Sequence, residues 1–308
     1  MRWQFRFAKN AMFGILPLRA QEKLRQLKRR IKPYPEQIDE PTLEQGITQI
    51  RMLREANCDP AGKDVLELGT GWQPVIPLLF HVAGARSVTM IDSQRLLDAR
   101  LLRATCANLS DYSKEIAVGL GMDVSTVASK LEPGDATDLR SLLARLNLEY
   151  RAPYDICGGG VNPAVIDIVI SRAVLEHIPH PVLKQIARAF HRILRPGGMM
   201  CHVIDHSDHW EHQDSRLSPL SFLRYSAKTF AWLCAMNPLD YQNRMRHIEY
   251  IRLFERAGFE VVADESLADQ RALQDLERLK IHPDFQQYPP EELAILTSVV
   301  SMRKVDAN

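Results

Sequence analysis

Four of the chain's ten histidines fall within eleven residues, in the run His202-Val203-Ile204-Asp205-His206-Ser207-Asp208-His209-Trp210-Glu211-His212. Imidazoles beside carboxylates can do two kinds of chemistry. A histidine oriented by an aspartate can take a proton from a hydroxyl near neutral pH, which nominates His206 or His209 as a general base held by Asp205 or Asp208. The same residue types bind divalent ions, and a solvated loop with one structural His–Asp pair also accounts for the pattern. The base reading is preferred. His206 stands first because it follows the apolar run Val203-Ile204 most closely, His209 second, with Asp205 as the orienting carboxylate, and no metal is assigned.

A second chemistry-bearing stretch is Val65-Leu66-Glu67-Leu68-Gly69-Thr70-Gly71-Trp72. An apolar run enters a glycine turn, and an apolar helix follows from about Val75. Glycine lets the backbone turn sharply and approach a ligand with no side chain between. Asp92 stands 21 residues after Gly71, at the end of the next apolar run, Val88-Thr89-Met90-Ile91. A carboxylate there can accept hydrogen bonds from both hydroxyls of a ribose. A dinucleotide site asks for a third glycine where Pro74 stands. Glu67, two residues before the first glycine, suits a cationic ligand better than a pyrophosphate.

Together these residues resemble the class I S-adenosylmethionine-dependent methyltransferases. Glu67-Leu68-Gly69-Thr70-Gly71 is similar to that family's first motif and Asp92 to its ribose-binding acid. The run from Asp167 to Ile178 resembles the fourth strand and the helix start after it, where His177 matches a wall-forming or structural residue. Leu194-Arg195-Pro196-Gly197-Gly198 resembles the turn before strand five. The resemblance covers roughly residues 62–204 and 250–304. It implies S-adenosylmethionine as cofactor, with Glu67 near the amino-acid part, Gly69, Thr70 and Gly71 under the ribose, Asp92 on its hydroxyls, and Ser93, Ser171 and Arg172 completing the set. The acid expected near the adenine is Asp155, with Asp135 behind it. The chain departs from the family at Gln73, where a further glycine is common.

The elements that must position these residues are legible as short apolar runs alternating with helical stretches from residue 63 on. Strands are expected at 64–68, 87–91, 146–150, 166–171, 199–204, 259–263 and 293–302. Amphipathic helices are expected at about 42–56 and 182–194, the second stopped by Arg195-Pro196-Gly197-Gly198. Strand alternating with helix predicts an α/β fold, a doubly wound and mostly parallel seven-stranded sheet covered on both faces. The resemblance adds a reversed last strand. Residues 1–61 read as a basic helical N-terminal extension and 62–308 as the catalytic domain. A largely helical insertion at 106–145 and a lid at 205–249 interrupt the domain. The lid's Phe222, Tyr225, Phe230, Trp232, Tyr241, Arg244 and Arg246 suit a sugar or other polyol and equally an amphipathic helical pair that covers the sheet, and Tyr241-Gln242-Asn243-Arg244 is dense in hydrogen-bond donors.

Charge and composition bound the partners. Residues 1–32 carry ten Lys or Arg and one acid, a head of net charge +9 on a body of −8. The body keeps no basic stripe for nucleic acid, whereas the head reads as a helix packed on the body with solvated Arg and Lys, peripheral contact with a membrane surface or anionic partner being the alternative. The apolar stretch from Ala11 to Leu18 is too short to span a bilayer. Five widely spaced cysteines with no CxxC pair fit reduced thiols in the cytoplasm. The expected activity is O-methylation of a small molecule or glycan unit. The alternatives are a catalytically silent scaffold on the same fold and a nucleotide-dependent oxidoreductase.

Overall fold

The computed structural model describes residues 38–236 and 241–305. The basic head, on which the membrane-contact expectation rests, lies outside these residues. Seven strands, β1 (Asp64–Leu68), β2 (Ser87–Ile91), β3 (Leu148–Arg151), β4 (Ile166–Arg172), β5 (Leu194–Asp205), β6 (Phe259–Ala268) and β7 (Ile295–Lys304), form one sheet. Their order is β3-β2-β1-β4-β5-β7-β6. Strands β1 to β5 pair in parallel, while β7 runs antiparallel to both β5 and β6. This is the doubly wound α/β sheet with a reversed last strand.

The helices are α1 (Glu40–Glu55), α2 (Val75–Val82), α3 (Ala99–Asp111), α4 (Ser113–Leu120), α5 (Val124–Leu131), α6 (Leu139–Arg145), α7 (His180–Ile193), α8 (Ala227–Met236), α9 (His247–Glu255), α10 (Gln270–Leu276) and α11 (Pro290–Leu293). Helices α1 to α6 cover one face of the sheet in a continuous apolar core. Helices α7 and α9 cover the other face in a second core. The stretch expected as an insertion supplies Ile116, Leu120, Val127, Leu131 and Leu142 to the first core. A third, smaller cluster joins Phe222, Phe230, Phe285 and Leu293 under the lid. Among the described residues no helix is long and apolar enough to cross a membrane.

Helix α1, grouped by sequence with the N-terminal extension, lies on the sheet. Asp39 caps it by accepting from the Thr42 amide, and Ile50, Met52 and Leu53 are fully buried. The Gln49 amide donates to the carbonyls of Ser171 at 3.1 Å and Cys201 at 2.8 Å, tying α1 to the neighbouring strands β4 and β5. Strands β5 and β6 run longer than their apolar runs suggest. At their carboxyl ends the reason is β7, whose antiparallel ladder carries β5 to Asp205 and β6 to Ala268, while pairing of Leu194 with Ile166 of β4 adds the stretch 194–198 to the start of β5.

Candidate functional site

Strands β1 and β4 are neighbours, although the chain visits β2 and β3 between them. Such a reversal of strand order opens a crevice at the carboxyl ends of the strands. The register brings the pieces together there: Leu68 pairs with Ile91 and with Ser171, and Arg172 pairs with Val203. The glycine turn, Asp92, the segment after Arg172 and the histidine run therefore all leave the sheet at one end.

On the β1–β2 side, Gly69 has φ +79° and its amide donates to the Ile91 carbonyl at 2.8 Å. A Cβ on Gly69 would lie 2.4 Å from Val174 Cγ2, so only glycine lets the two loops meet. Gly71 has φ +69°, and a Cβ there would meet nothing within 4 Å. The opening above it is where a ligand can approach bare backbone. Asp92 Oδ2 accepts from the Gly71 amide at 2.9 Å and Oδ1 from the Gln94 amide at 3.1 Å. A carboxylate accepts about four hydrogen bonds, so it retains capacity for a pair of hydroxyls.

Glu67 is buried and accepts the Thr70 hydroxyl. Burial pushes its carboxyl up to about 8; the Thr70 bond opposes this and the charge of Asp92 adds to it. A buried acid held neutral beside a second acid fits the approach of a cation. Open backbone at Gly71, spare capacity on Asp92 and the proton-loaded Glu67 together fit a cationic nucleoside.

The other residues nominated for this ligand are placed less directly. Ser93 is exposed next to Asp92. Asp155 is exposed and accepts from the Cys157 amide at 2.9 Å, while the Tyr154 amide, donating to the Asp92 carbonyl at 2.8 Å, brings the segment to the end of β2. Asp135 is exposed in the turn before α6. The Ser171 hydroxyl is buried against His202 Nδ1 at 2.8 Å, and Arg172 Nε donates to Gln45 of α1 at 2.7 Å. Both side chains serve the scaffold.

The histidine run is sorted by burial. His202 stacks between Phe190 and Phe254, and burial lowers it to about 3. His206, ranked first as a base from sequence, does not face the crevice. It is 2 % exposed, its Nε2 lies 2.9 Å from Ser298 Oγ, and its Nδ1 lies 3.4 Å from the Met245 carbonyl. Burial, reinforced by the Arg246 guanidinium, holds it well below the usual imidazole range. The reason is alternation: His202, Ile204 and His206 share the α7/α9 face of β5, and β7 pairing continues to the His206 amide.

Asp205 lies on the opposite face of β5. Burial raises its carboxyl, but the His209 imidazole beside it and the hydrogen bonds from Ser207 outweigh this and hold it at about 2. His209 Nε2 lies 3.2 Å from Asp205 Oδ2. The His209 ring is 4.9 Å from that of His177 and 5.0 Å from that of His212. The alternative partner Asp208 is buried, and burial pushes it up to about 7.

Glu176, unassigned from sequence, is 1 % exposed, and neither carboxylate oxygen has a hydrogen-bond partner among the described residues. Burial raises it well above the carboxylate range. One ligating atom each from Glu176, His177 and His209 lie within 4.8 Å of one another. The same holds for Asp205, His209 and His212. The available signal was two ligand-type residues, Glu176-His177, placed directly after a strand end.

The lid's donor-rich piece is spent on holding the loops. Asn243 Nδ2 donates to the carbonyls of Leu175 and Ile178 at 3.0 Å, and its Oδ1 accepts from the Met245 amide and the Tyr250 hydroxyl. Gln242 Oε1 accepts from the His209 amide at 3.2 Å. Arg244 lies over Phe230 at 4.4 Å and Phe285 at 4.9 Å, and buried Arg246 donates to the His206 carbonyl at 2.6 Å. A cavity of about 380 Å³ lies in this region, lined by Phe230, Cys234, Tyr241, Gln242 and Arg244 among others.

A family profile described as "Methyltransferase domain" matches residues 42–264. No curated protein matches the chain. Among solved structures, an S-adenosylmethionine-dependent methyltransferase from Mesorhizobium loti is 16% identical, covering 82% of this chain and 96% of that one with a TM-score of 0.45. Another from Methanosarcina mazei is 15% identical, covering 83% and 98% with a TM-score of 0.46. The Burkholderia thailandensis 1,6-didemethyltoxoflavin-N1-methyltransferase, solved with 1,6-didemethyltoxoflavin and S-adenosylhomocysteine, is 13% identical, covering 87% and 80% with a TM-score of 0.45.

Proposed function

The chain belongs to the class I S-adenosylmethionine-dependent methyltransferases, and from that premise we propose that its acceptor is a hydroxyl oxygen of a small molecule or glycan unit. The observation that carries this reading is the Asp205–His209 pair, 3.2 Å apart at the open end of β5. An oxygen acceptor needs its proton removed, whereas a neutral amine needs little activation.

When bound, S-adenosylmethionine supplies an electrophilic methyl carbon on a sulfonium, whose carbon–sulfur bond breaks with its electron pair left on sulfur. Glu67 is assigned to the amino-acid part, the Gly69-Thr70-Gly71 backbone to the ribose, and Asp92 to its hydroxyls. Ser93 and Asp155, both exposed, are assigned to the rim of that site. His209, held by ionised Asp205, takes the proton from the acceptor hydroxyl as the oxygen–methyl bond forms. The rest is alignment, which can contribute about 7–11 kcal/mol. A reduced, cytoplasmic setting belongs to the same proposal and is supported by five free cysteines.

The test is methyl transfer to a panel of hydroxyl, phenol and amine acceptors. Hydroxyl or phenol acceptors should be methylated, and His209→Ala should lower turnover by about 10²–10⁴-fold with unchanged donor affinity. Amine-only methylation, or wild-type turnover in His209→Ala, overturns the reading. Donor binding without any turnover identifies a scaffold.

A further inference from the structure

We propose that Glu176, His177 and His209 hold a divalent transition-metal ion at the carboxyl ends of β4 and β5. One ligating atom from each lies within 4.8 Å of the others, so small side-chain rotations reach a common ion at about 2.1 Å. Two imidazoles and one carboxylate form a mixed nitrogen and oxygen set suited to first-row divalent ions, with coordination positions left open.

Three further observations point to a cation. The Glu176 carboxylate is 1 % exposed with both oxygens unpartnered, a costly arrangement that a positive ion relieves. His177 Nδ1 lies 2.9 Å from the Tyr241 carbonyl. A carbonyl only accepts, so Nδ1 carries the proton and Nε2 is the lone-pair nitrogen. Asp205 sits 3.2 Å from His209 Nε2, and a carboxylate behind an imidazole commonly orients a metal ligand.

The overlapping trio of Asp205, His209 and His212 is the weaker cage. Its acid is not an unpartnered one: Asp205 Oδ1 accepts from the Ser207 amide and hydroxyl at 2.8 and 2.6 Å, whereas both Glu176 oxygens are bare, and His212 Nε2 is engaged 3.1 Å from Ser207 Oγ.

The inference rests on the hydroxyl acceptor proposed above and deepens it. An ion here lowers the pKa of a hydroxyl laid against it. The proton leaves to water, the oxygen–methyl bond forms, and the carbon–sulfur electron pair stays on sulfur. His209 is then a ligand in the loaded enzyme and a base only in the ion-free one.

Titration of the full chain with Mn²⁺, followed by loss of the free-ion paramagnetic resonance signal, should show one ion per chain. Glu176→Gln and His177→Ala should each weaken binding at least tenfold. Asp205→Asn should weaken it about 10–100-fold as an orienting partner, and His212→Ala should leave it unchanged. Circular dichroism melts confirm that the variants fold. Absence of Mn²⁺ binding by the wild type, or binding that survives Glu176→Gln and His177→Ala but not His212→Ala, overturns the proposal. The two readings fail separately. Chelator-insensitive hydroxyl methylation without Mn²⁺ binding removes the metal alone. Mn²⁺ binding dependent on Glu176 with only amines methylated removes the hydroxyl acceptor alone.

Discussion

Gly69 is backed by a side chain and Gly71 by open space, so the two glycines separate folding from ligand binding. Gly69 and Gly71 both have positive φ, which costs an L-residue about 1–2 kcal/mol. Only Gly69 also has Val174 within 2.4 Å of a new Cβ. Gly71→Ala should therefore fold with a modestly lowered melting temperature, yet lose at least tenfold in S-adenosylhomocysteine affinity by calorimetry. Gly69→Ala should melt far lower. Glu67 adds a pH dependence. Its folded-state carboxyl sits near 8, above the ordinary 4.5, so the folded chain binds more protons than the unfolded one between those values. Stability attributable to Glu67 therefore falls as pH rises through that window. A cationic donor favours the ionised form, so S-adenosylmethionine affinity should rise from pH 6.5 to 8.5 with proton release. Calorimetry in buffers of different ionisation enthalpy should find both effects gone in Glu67→Gln.

At the scale of elements, the loops that carry chemistry are held by side chains on other elements. Asn243 clasps the turn after β4, Gln242 supports the His209 amide, and Gln49 of α1 ties the neighbouring strands β4 and β5. His247, at the start of α9, lies 2.9 Å from Asp264 of β6 and 3.8 Å from Glu292 of α11. Burial lowers its pKa, but the two carboxylates outweigh this and raise it to about 9. A raised folded-state value gives stability that is fully present below the unfolded value near 6.5 and is lost as pH rises through 9. His247→Gln should therefore be less stable than wild type at pH 6 and close to it above pH 9.5. Denaturant melts across that range give the comparison, and a pH-independent difference would remove the ion pairs from the account.

For the whole molecule, the position of α1 decides where the catalytic body begins. Ile50, Met52 and Leu53 are fully buried in the core that also holds α2 to α6. Losing large buried side chains costs about 2–5 kcal/mol each, against a total stability of about 5–15 kcal/mol. A chain starting at residue 57 should show no cooperative thermal transition by circular dichroism. Cooperative melting of that fragment would make α1 an appendage, as the division at residue 61 implies.

Local order made much of this protein legible from its residues alone. Apolar runs of strand length, the Gly69–Gly71 turn and Asp92 at the end of the second strand specify the sheet and the family, because each signal lies within one element and its immediate turn. The order of histidines along β5 was legible too, had the strand been extended by two residues, since a period of two carries His202, Ile204 and His206 to one face. That extension comes from pairing with β7, some ninety residues later in the chain. The partnership of Glu176 and His177 with His209 arises in the same way, from the parallel register that sets Arg172 beside Val203. Spacing within one segment cannot encode a meeting between two strand ends; burial and register across the sheet decide which of the candidate side chains face the crevice and which are core.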